Sequence, residues 1–87
     1  MPPVVIKRVA PEYPRQYAKL GIQGATHLRC IITKNGLPED IEVVRSFNTV
    51  CDKVAMEALD QWRFNPATLN DVPVDVIMEI TIRFRLN

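Results

Sequence analysis

The 87-residue sequence has no excess of either charge, because 11 Lys and Arg residues oppose 10 Asp and Glu residues. A net charge of +1 gives no electrostatic reason to expect nucleic acid or an anionic membrane surface as the partner. No apolar run approaches the ~18 residues that a membrane-spanning helix needs. We therefore expect any partner to be recognised by shape and local chemistry.

Sets of catalytic or metal-binding residues are also missing. His27 is the only histidine, and it falls on the open face of a predicted strand with no identifiable catalytic partner. Cys30 and Cys51 stand 21 positions apart and, with one histidine, match no zinc-site spacing. The three glycines form no phosphate-binding loop. The sequence therefore predicts no enzyme activity, no catalytic residue, no metal and no cofactor.

The N-terminal residues 1–10 are predicted to be the end of an extended linker, because proline is frequent there and favours extended backbone. Residues 11–87 then form one small domain with a single core. The start of the chain, MPPVVIKRVAPEYP, lacks the basic, apolar and cleavage regions of a secretory signal. If the domain is exported, we expect its targeting segment elsewhere in a longer protein.

A short helix is predicted over residues 14–20. Proline is well tolerated in a first helical turn, which suits Pro14, and Gly21 stands where a C-terminal cap would lie. The helix would place Tyr17, Ala18 and Leu20 toward the core.

A β-hairpin follows this helix. Residues 24–34 are rich in β-branched and apolar types, and Asn35-Gly36 is the dipeptide best suited to a tight turn. We predict strands over 24–34 and 38–46. Side-chain alternation directs one set of the first strand to the core: Thr26, Leu28, Cys30 and Ile32.

A second helix is predicted to begin at Thr49, whose hydroxyl can cap it, while Asp52 can reach back to the helix start. The helix cannot continue past Phe64, because the residue before Pro66 is disfavoured in helical conformation. An apolar stripe at helical spacing predicts its buried face: Cys51, Ala55, Ala58, Leu59 and Trp62.

The last segment, 72–86, alternates over an unusual length and predicts a long amphipathic strand. The predicted elements follow one another in the order α-β-β-α-β. This order predicts an α+β domain with two helices packed on one face of a three-stranded antiparallel sheet. The core-facing residues of this strand are Val74, Val76, Met78, Ile80, Ile82, Phe84 and Leu86. The outward residues include Ile77, Glu79, Thr81 and Arg83.

Both cysteines are predicted to face the same core. A disulfide between Cys30 and Cys51 is then geometrically possible, and it would contribute about 3 kcal/mol by the chain-entropy estimate and imply an oxidising compartment. Two buried free thiols acting as small apolar side chains explain the same pattern. The residues alone leave both alternatives open.

Four stretches, in their order and spacing, resemble the C-terminal domain of the TonB family: PEYPRQYAKLGIQG, KNG, VCDKVAMEALDQWRFNPA and ITIRFRL. The resemblance covers residues 11–86. Its signature is carried by residues that we expect to be structural: Tyr13, Pro14, Gly24, Gly36, Asp52, Trp62, Phe64 and Pro66.

The resemblance implies the periplasmic end of a longer protein anchored in the inner membrane. Such a protein couples the proton gradient, through inner-membrane proton-channel partners, to an outer-membrane transporter. The domain is expected to bind an extended segment near the transporter's N-terminus as an added strand beside its own last strand, by β-augmentation. The expected partner-binding residues are Val76, Ile77, Met78, Glu79, Ile80, Thr81, Ile82, Arg83 and Phe84.

The sequence departs from the family pattern at a few positions. Ala10 stands where the best-known members have a Gln that contacts the transporter segment. Cys30 and Cys51 replace apolar residues, and this paired replacement favours the disulfide.

The sequence is also compatible with two alternative functions. A TonB-like adaptor of a motility or secretion machine would use the same strand edge for a different periplasmic segment. A self-association domain would instead pair two copies, or exchange the last strand, through exposed Ile31, Val44 and Ile77.

Overall fold

A computed structural model describes residues 1–86 of the chain. It contains two helices, α1 (Arg15–Lys19) and α2 (Thr49–Asp60). Its strands are β1 (Val4–Lys7), β2 (Gly24–Ile32), β3 (Pro38–Arg45), β4 (Arg63–Asn65), β5 (Ala67–Leu69), β6 (Val72–Val74) and β7 (Val76–Phe84). No helix among residues 1–86 is long and apolar enough to cross a bilayer.

The central sheet has three antiparallel strands in the order β3-β2-β7. β2 is its central strand, and it pairs with β7 without interruption from Gly24 opposite Phe84 to Ile32 opposite Val76. β2 and β3 form the predicted hairpin, although irregularities interrupt their register at two places. The predicted α+β class is confirmed.

The core lies between this sheet and α2. Alternation along β2 and β7 and the apolar stripe of α2 direct their side chains to one volume, as their periodicities predict. The buried cluster consists of Leu28, Cys30, Ile32, Cys51, Ala55, Leu59, Trp62, Phe64, Ile82 and Phe84.

The hairpin turn is longer than predicted. The first strand ends at Ile32, not at residue 34, because the Thr33 hydroxyl accepts N–H bonds from Asn35 and Leu37 and the chain turns over residues 33–37. Gly36 adopts φ +79°, and its carbonyl accepts the N–H of Phe64 at 3.0 Å. The turn thereby connects the hairpin to the segment that follows α2.

Gly36→Ala is expected to lower the free energy of unfolding by about 2–3 kcal/mol, because the added Cβ combines the left-handed backbone penalty with a steric clash. That Cβ would lie 2.0 Å from the carbonyl oxygen of Phe64. Gly21→Ala is the matched control, since Gly21 has φ +68° but nothing within 4 Å of the added carbon. We expect the control to cost about 1 kcal/mol. Urea denaturation measures both, and equal losses would contradict the clash.

Asn48, not the predicted Thr49, caps α2. The Asn48 side chain accepts the N–H of Cys51 at 2.9 Å from an extended backbone, whereas Thr49 is already the first helical residue. The helix ends at Asp60, before the limit set by Pro66, because the chain continues as β4. The predicted position of the helix is correct, but the predicted cap is one residue too late.

The predicted last strand is divided into β6 and β7 at Asp75. The carboxylate of Asp75 accepts the N–H of Lys34 at 2.7 Å, beside the hairpin turn. β6 turns back through Asn70 and Asp71, both at positive φ, to pair with β5. β6 therefore lies outside the central sheet, within which β7 and β2 have equal length.

The N-terminal residues contain a strand that the sequence analysis did not predict. β1 pairs antiparallel with β4, and Val5 packs against the core. Val4 and Ile6 point to solvent. The boundary placed between residues 10 and 11 stays a prediction.

Candidate functional site

The exposed edge of β7 is the main candidate site. β7 pairs with β2 on one side, and no strand among residues 1–86 pairs with β7 on the other. Backbone N–H and C=O groups along such an edge can accept another extended chain. The nine residues that the family resemblance predicts to bind a partner, 76–84, form this strand.

Side chains of β7 divide into two sets. The inward set is buried or packed against the core: Val76, Met78, Ile80, Ile82 and Phe84. In the outward set, Ile77, Glu79 and Arg83 are exposed and Thr81 is half-buried. The outward side chains therefore point away from the core, beside the unpaired backbone of the edge.

Parts of the N-terminal segment border the two ends of this edge, and we call the two cavities there the edge groove. At one end a cavity of 460 Å³ is lined by residues 1–3, by β5 and by Val76, Ile77 and Met78. At the other end a cavity of 560 Å³ is lined by residues 8–11, Trp62 and the end of β7 with Arg85. Residues 1–3 and 8–11, which we call the N-terminal wall, therefore line the cavities beside the two ends of β7.

Trp62 fixes the N-terminal wall in place. Its Nε1 donates to the carbonyl of Val9 at 2.8 Å, and the guanidinium of Arg8 lies 5.0 Å from the ring centroid. Phe64 packs beside it at 6.2 Å between ring centroids. The single tryptophan thus joins the core to the segment that lines the groove.

The other signature residues have structural roles. Tyr13 donates its hydroxyl to the carbonyl of Ile22 and packs edge-on against Phe84 at 5.6 Å. A Cβ at Gly24 would lie 2.5 Å from the ring of Phe47. Glycine is needed here because the Phe47 ring packs closely against the backbone. Pro14 stands at the N-cap of α1, and Pro66 lies between β4 and β5.

Asp52 is buried and joins three elements. Its carboxylate accepts bonds from the hydroxyl of Thr26 at 2.7 Å, from the hydroxyl of Ser46 and from the N–H of Phe47 at 3.0 Å. Burial alone would raise the pKa of Asp52, but these hydrogen bonds together with the N–H of Asn48 lower it below the ordinary value. The predicted backward reach of this carboxylate is confirmed.

Both cysteines are buried as free thiols. The disulfide between Cys30 and Cys51 is absent from the structure, which has the alternative arrangement of two small apolar core side chains. Burial raises the pKa of the Cys30 thiol, which disfavours the reactive thiolate.

His27 and the acidic residues were the remaining candidates for catalysis or metal binding. His27 Nδ1 lies 3.0 Å from the hydroxyl of Thr81 on the open face of the sheet. Among residues 1–86, no group of three His, Cys, Asp or Glu side chains can hold a metal ion.

The residues predicted to mediate self-association differ in exposure. Ile31, predicted to be exposed, is half-buried because Ile77 lies directly opposite it. Val44 and Ile77 are exposed.

The N-terminal wall of the groove was not identified from the sequence. Its available signal was Val4-Val5-Ile6, a short β-branched run between prolines. That run predicts an extended segment but does not identify β4 as its partner.

Comparisons with known proteins identify the family. Residues 9–86 match the family model described as Gram-negative bacterial TonB protein C-terminal. Protein TonB of Vibrio cholerae is 36% identical over 86 residues, 98% of this chain and 35% of that protein. Protein TonB of Xanthomonas campestris pv. campestris is 31% identical over 78 residues, 88% of this chain and 35% of that protein.

A solved structure agrees with these relatives. The solution NMR structure of the Pseudomonas aeruginosa TonB C-terminal domain superposes with a TM-score of 0.79 at 26% identity, covering 97% of this chain and 86% of that one. The present chain spans about a third of the length of the two curated relatives described above. By its sequence and its fold, the chain belongs to the TonB C-terminal domain family.

Proposed function

We propose that this domain is the periplasmic binding module of a TonB-like energy transducer, and that it docks an extended segment of an outer-membrane transporter on β7. The unpaired edge of β7 is the observation that carries the proposal. β-Augmentation uses the backbone groups of such an edge for affinity and alternate side chains for specificity. The family is one of energy transducers, not of enzymes.

The geometry suits the transmission of force. A segment paired along the nine residues of β7 would load several backbone hydrogen bonds together when pulled. β7 itself is held by continuous pairing with β2 and by the buried side chains of Ile82 and Phe84. The bound segment would therefore act on the core of the domain.

A complete transducer also needs two further parts, which belong to the same proposal. They are an anchor in the inner membrane and the contacts with proton-channel partners. TonB C-terminal domains are periplasmic in Gram-negative bacteria, and we propose the same location here. Nucleic acid is not an expected partner.

Self-association is the second candidate function, favoured by the same free edge and by the exposure of Ile77 beside it. Two copies could pair through β7 or exchange it. Light scattering over a concentration series distinguishes the two candidates, since a monomer at every concentration removes self-association and leaves docking unaffected.

Docking predicts localised changes in an NMR titration. A peptide from the N-terminal segment of an outer-membrane transporter of the same organism should shift the backbone amides of residues 76–84, with smaller changes in β2. The same peptide methylated at alternate backbone nitrogens is the control, and it should lose binding because its donors are removed. Shifts confined to α1 and α2, or equal binding of the methylated peptide, would contradict edge docking.

A further inference from the structure

Three arginine side chains come together at the C-terminal end of β7. Arg8, Arg83 and Arg85 all line the 560 Å³ cavity of the edge groove, which we call the arginine cleft. Arg8 follows β1, whereas Arg83 lies in β7 and Arg85 directly after it. All three are exposed to solvent. The fold therefore gathers three positive charges that the sequence separates.

The arginine cleft has no internal counter-charge among residues 1–86. Within this range the Arg29–Glu42 contact is the one ion pair, so none of the three guanidinium groups of the cleft is paired with a carboxylate. No Asp or Glu of the described part of the chain lines the cleft. On β2, the residue directly opposite Arg83 is the uncharged Ala25. The positive charge of the cleft is therefore available to a ligand.

Acidic side chains are concentrated elsewhere on the domain. A separate cavity of 340 Å³, beside β3 and α2, is lined by Glu39, Asp40, Glu57 and Asp60. β3 and β7 are the two edge strands of the central sheet. The net charge of +1 therefore hides an uneven distribution, with positive potential at the end of β7 and negative potential beside β3.

Trp62 holds Arg8 in position on one side of the cleft. The guanidinium carbon of Arg8 lies 5.0 Å from the ring centroid of the indole. The indole is itself buried, and its Nε1 donates to the carbonyl of Val9 at 2.8 Å. An arginine that is already ordered loses less conformational entropy when it binds a ligand. This side of the cleft is therefore preorganised.

The other side of the cleft is also tied to the fold. Arg83 lies within the stretch of β7 that pairs continuously with β2. The side chain of Gln23 accepts the N–H of Leu86, the residue after Arg85, at 2.7 Å. The backbone that carries both arginines is therefore fixed.

We propose that the arginine cleft binds a phosphate group. Guanidinium groups donate charge-assisted and often bidentate hydrogen bonds to phosphate oxygens. A phosphate monoester carries about −1.5 to −2 charges at neutral pH and presents three acceptor oxygens, so it can use all three arginines, whereas a carboxylate has one charge and two oxygens. The volume of the cleft also lies within the range of small-ligand sites, about 300–1,000 Å³.

Two sources can supply the phosphate group. A soluble phosphate would occupy the cleft alone, whereas the phosphate of an anionic lipid headgroup would hold this end of the domain at a bilayer surface. Both offer the same oxygen acceptors to the arginines. Neither requires a segment paired with β7, so the proposal is independent of docking.

An NMR titration with inorganic phosphate at constant ionic strength tests the cleft directly. The amides of residues 8–11 and 83–86 should shift. Arg85→Gln should weaken the affinity about fivefold, which is the upper range for one exposed charge pair. Arg85 lies beyond β7, so the docking strand keeps its sequence in this variant. Arg15→Gln removes the same charge on α1 and should leave the affinity unchanged.

Vesicles distinguish the two sources. Co-sedimentation with vesicles of phosphatidylglycerol and phosphatidylcholine that Arg85→Gln reduces and Arg15→Gln does not would identify a lipid headgroup. Amide shifts with inorganic phosphate, without co-sedimentation, would identify a soluble phosphate. The proposal is overturned if neither probe binds, or if both variants reduce binding equally, which would mean attraction by net charge alone. Titration of the transporter peptide with the same variants reports docking separately.

Discussion

Trp62→Ala is expected to lower the free energy of unfolding by about 3–5 kcal/mol, the range observed for removal of large buried aromatic side chains. Trp62 is only 6% exposed and belongs to the core cluster with Phe64. Native proteins are stable by about 5–15 kcal/mol, so a loss of this size removes a large part of the stability of so small a domain. Truncation also removes the Nε1 bond to Val9 and the stack with Arg8, which releases the N-terminal wall of the groove.

Two variants divide the effect of this truncation. Trp62→Phe keeps most of the apolar volume and loses the hydrogen bond, and we expect a cost of about 1–2 kcal/mol. Arg8→Ala loses only the stack, with an expected cost of about 0.5–1 kcal/mol. Guanidinium denaturation followed by circular dichroism measures all three. Near-wild-type stability of Trp62→Ala would show that the tryptophan does not support the core.

The central elements of the fold could be predicted because their signals are local. Alternation along β2 and β7 and the stripe of α2 each depend on neighbours within one element. Element ends were less accurate. Asn48 and Thr49 can both cap a helix, and Asn48 is selected because its own backbone is extended while Thr49 is already helical.

The shorter strands depend on contacts between distant residues. β1 and β4 contain four and three residues, and neither has enough length to show a period. Their pairing is supported by the bond from Trp62 to Val9, residues that are 53 positions apart. A tryptophan in the sequence predicts burial, but not which carbonyl its Nε1 will meet.

The strand of the candidate site could be predicted from local signals, whereas the residues around it could not. The alternation of β7 predicted a strand with one polar face, and the family resemblance gave it a role. Arg8, Arg83 and Arg85 were separate charges in the sequence, and only the fold places them around one cavity. For Arg83, the pairing of β7 with β2 places uncharged Ala25 directly opposite.

Asp52→Ala is expected to lower the free energy of unfolding by about 3–4 kcal/mol, because it removes several charge-assisted hydrogen bonds at once. The hydroxyl of Thr26 is fully buried and would lose its acceptor. The negative charge also lies in the first turn of α2, where the helix dipole favours it. The substitution therefore weakens the contact between β2, the end of β3 and the start of α2.

Asp52→Asn tests the charge itself, since it keeps the shape of the side chain. The folded-state pKa of Asp52 lies below its ordinary value of 3.8. A lowered pKa means that the stabilisation is complete above the ordinary value and is lost as the pH falls through the folded-state pKa. The difference in unfolding free energy between the wild-type protein and Asp52→Asn should therefore be constant near neutral pH and shrink below about pH 4. A difference that stayed constant to lower pH, measured by urea denaturation at each pH, would show that the carboxylate does not stabilise this helix start by its charge.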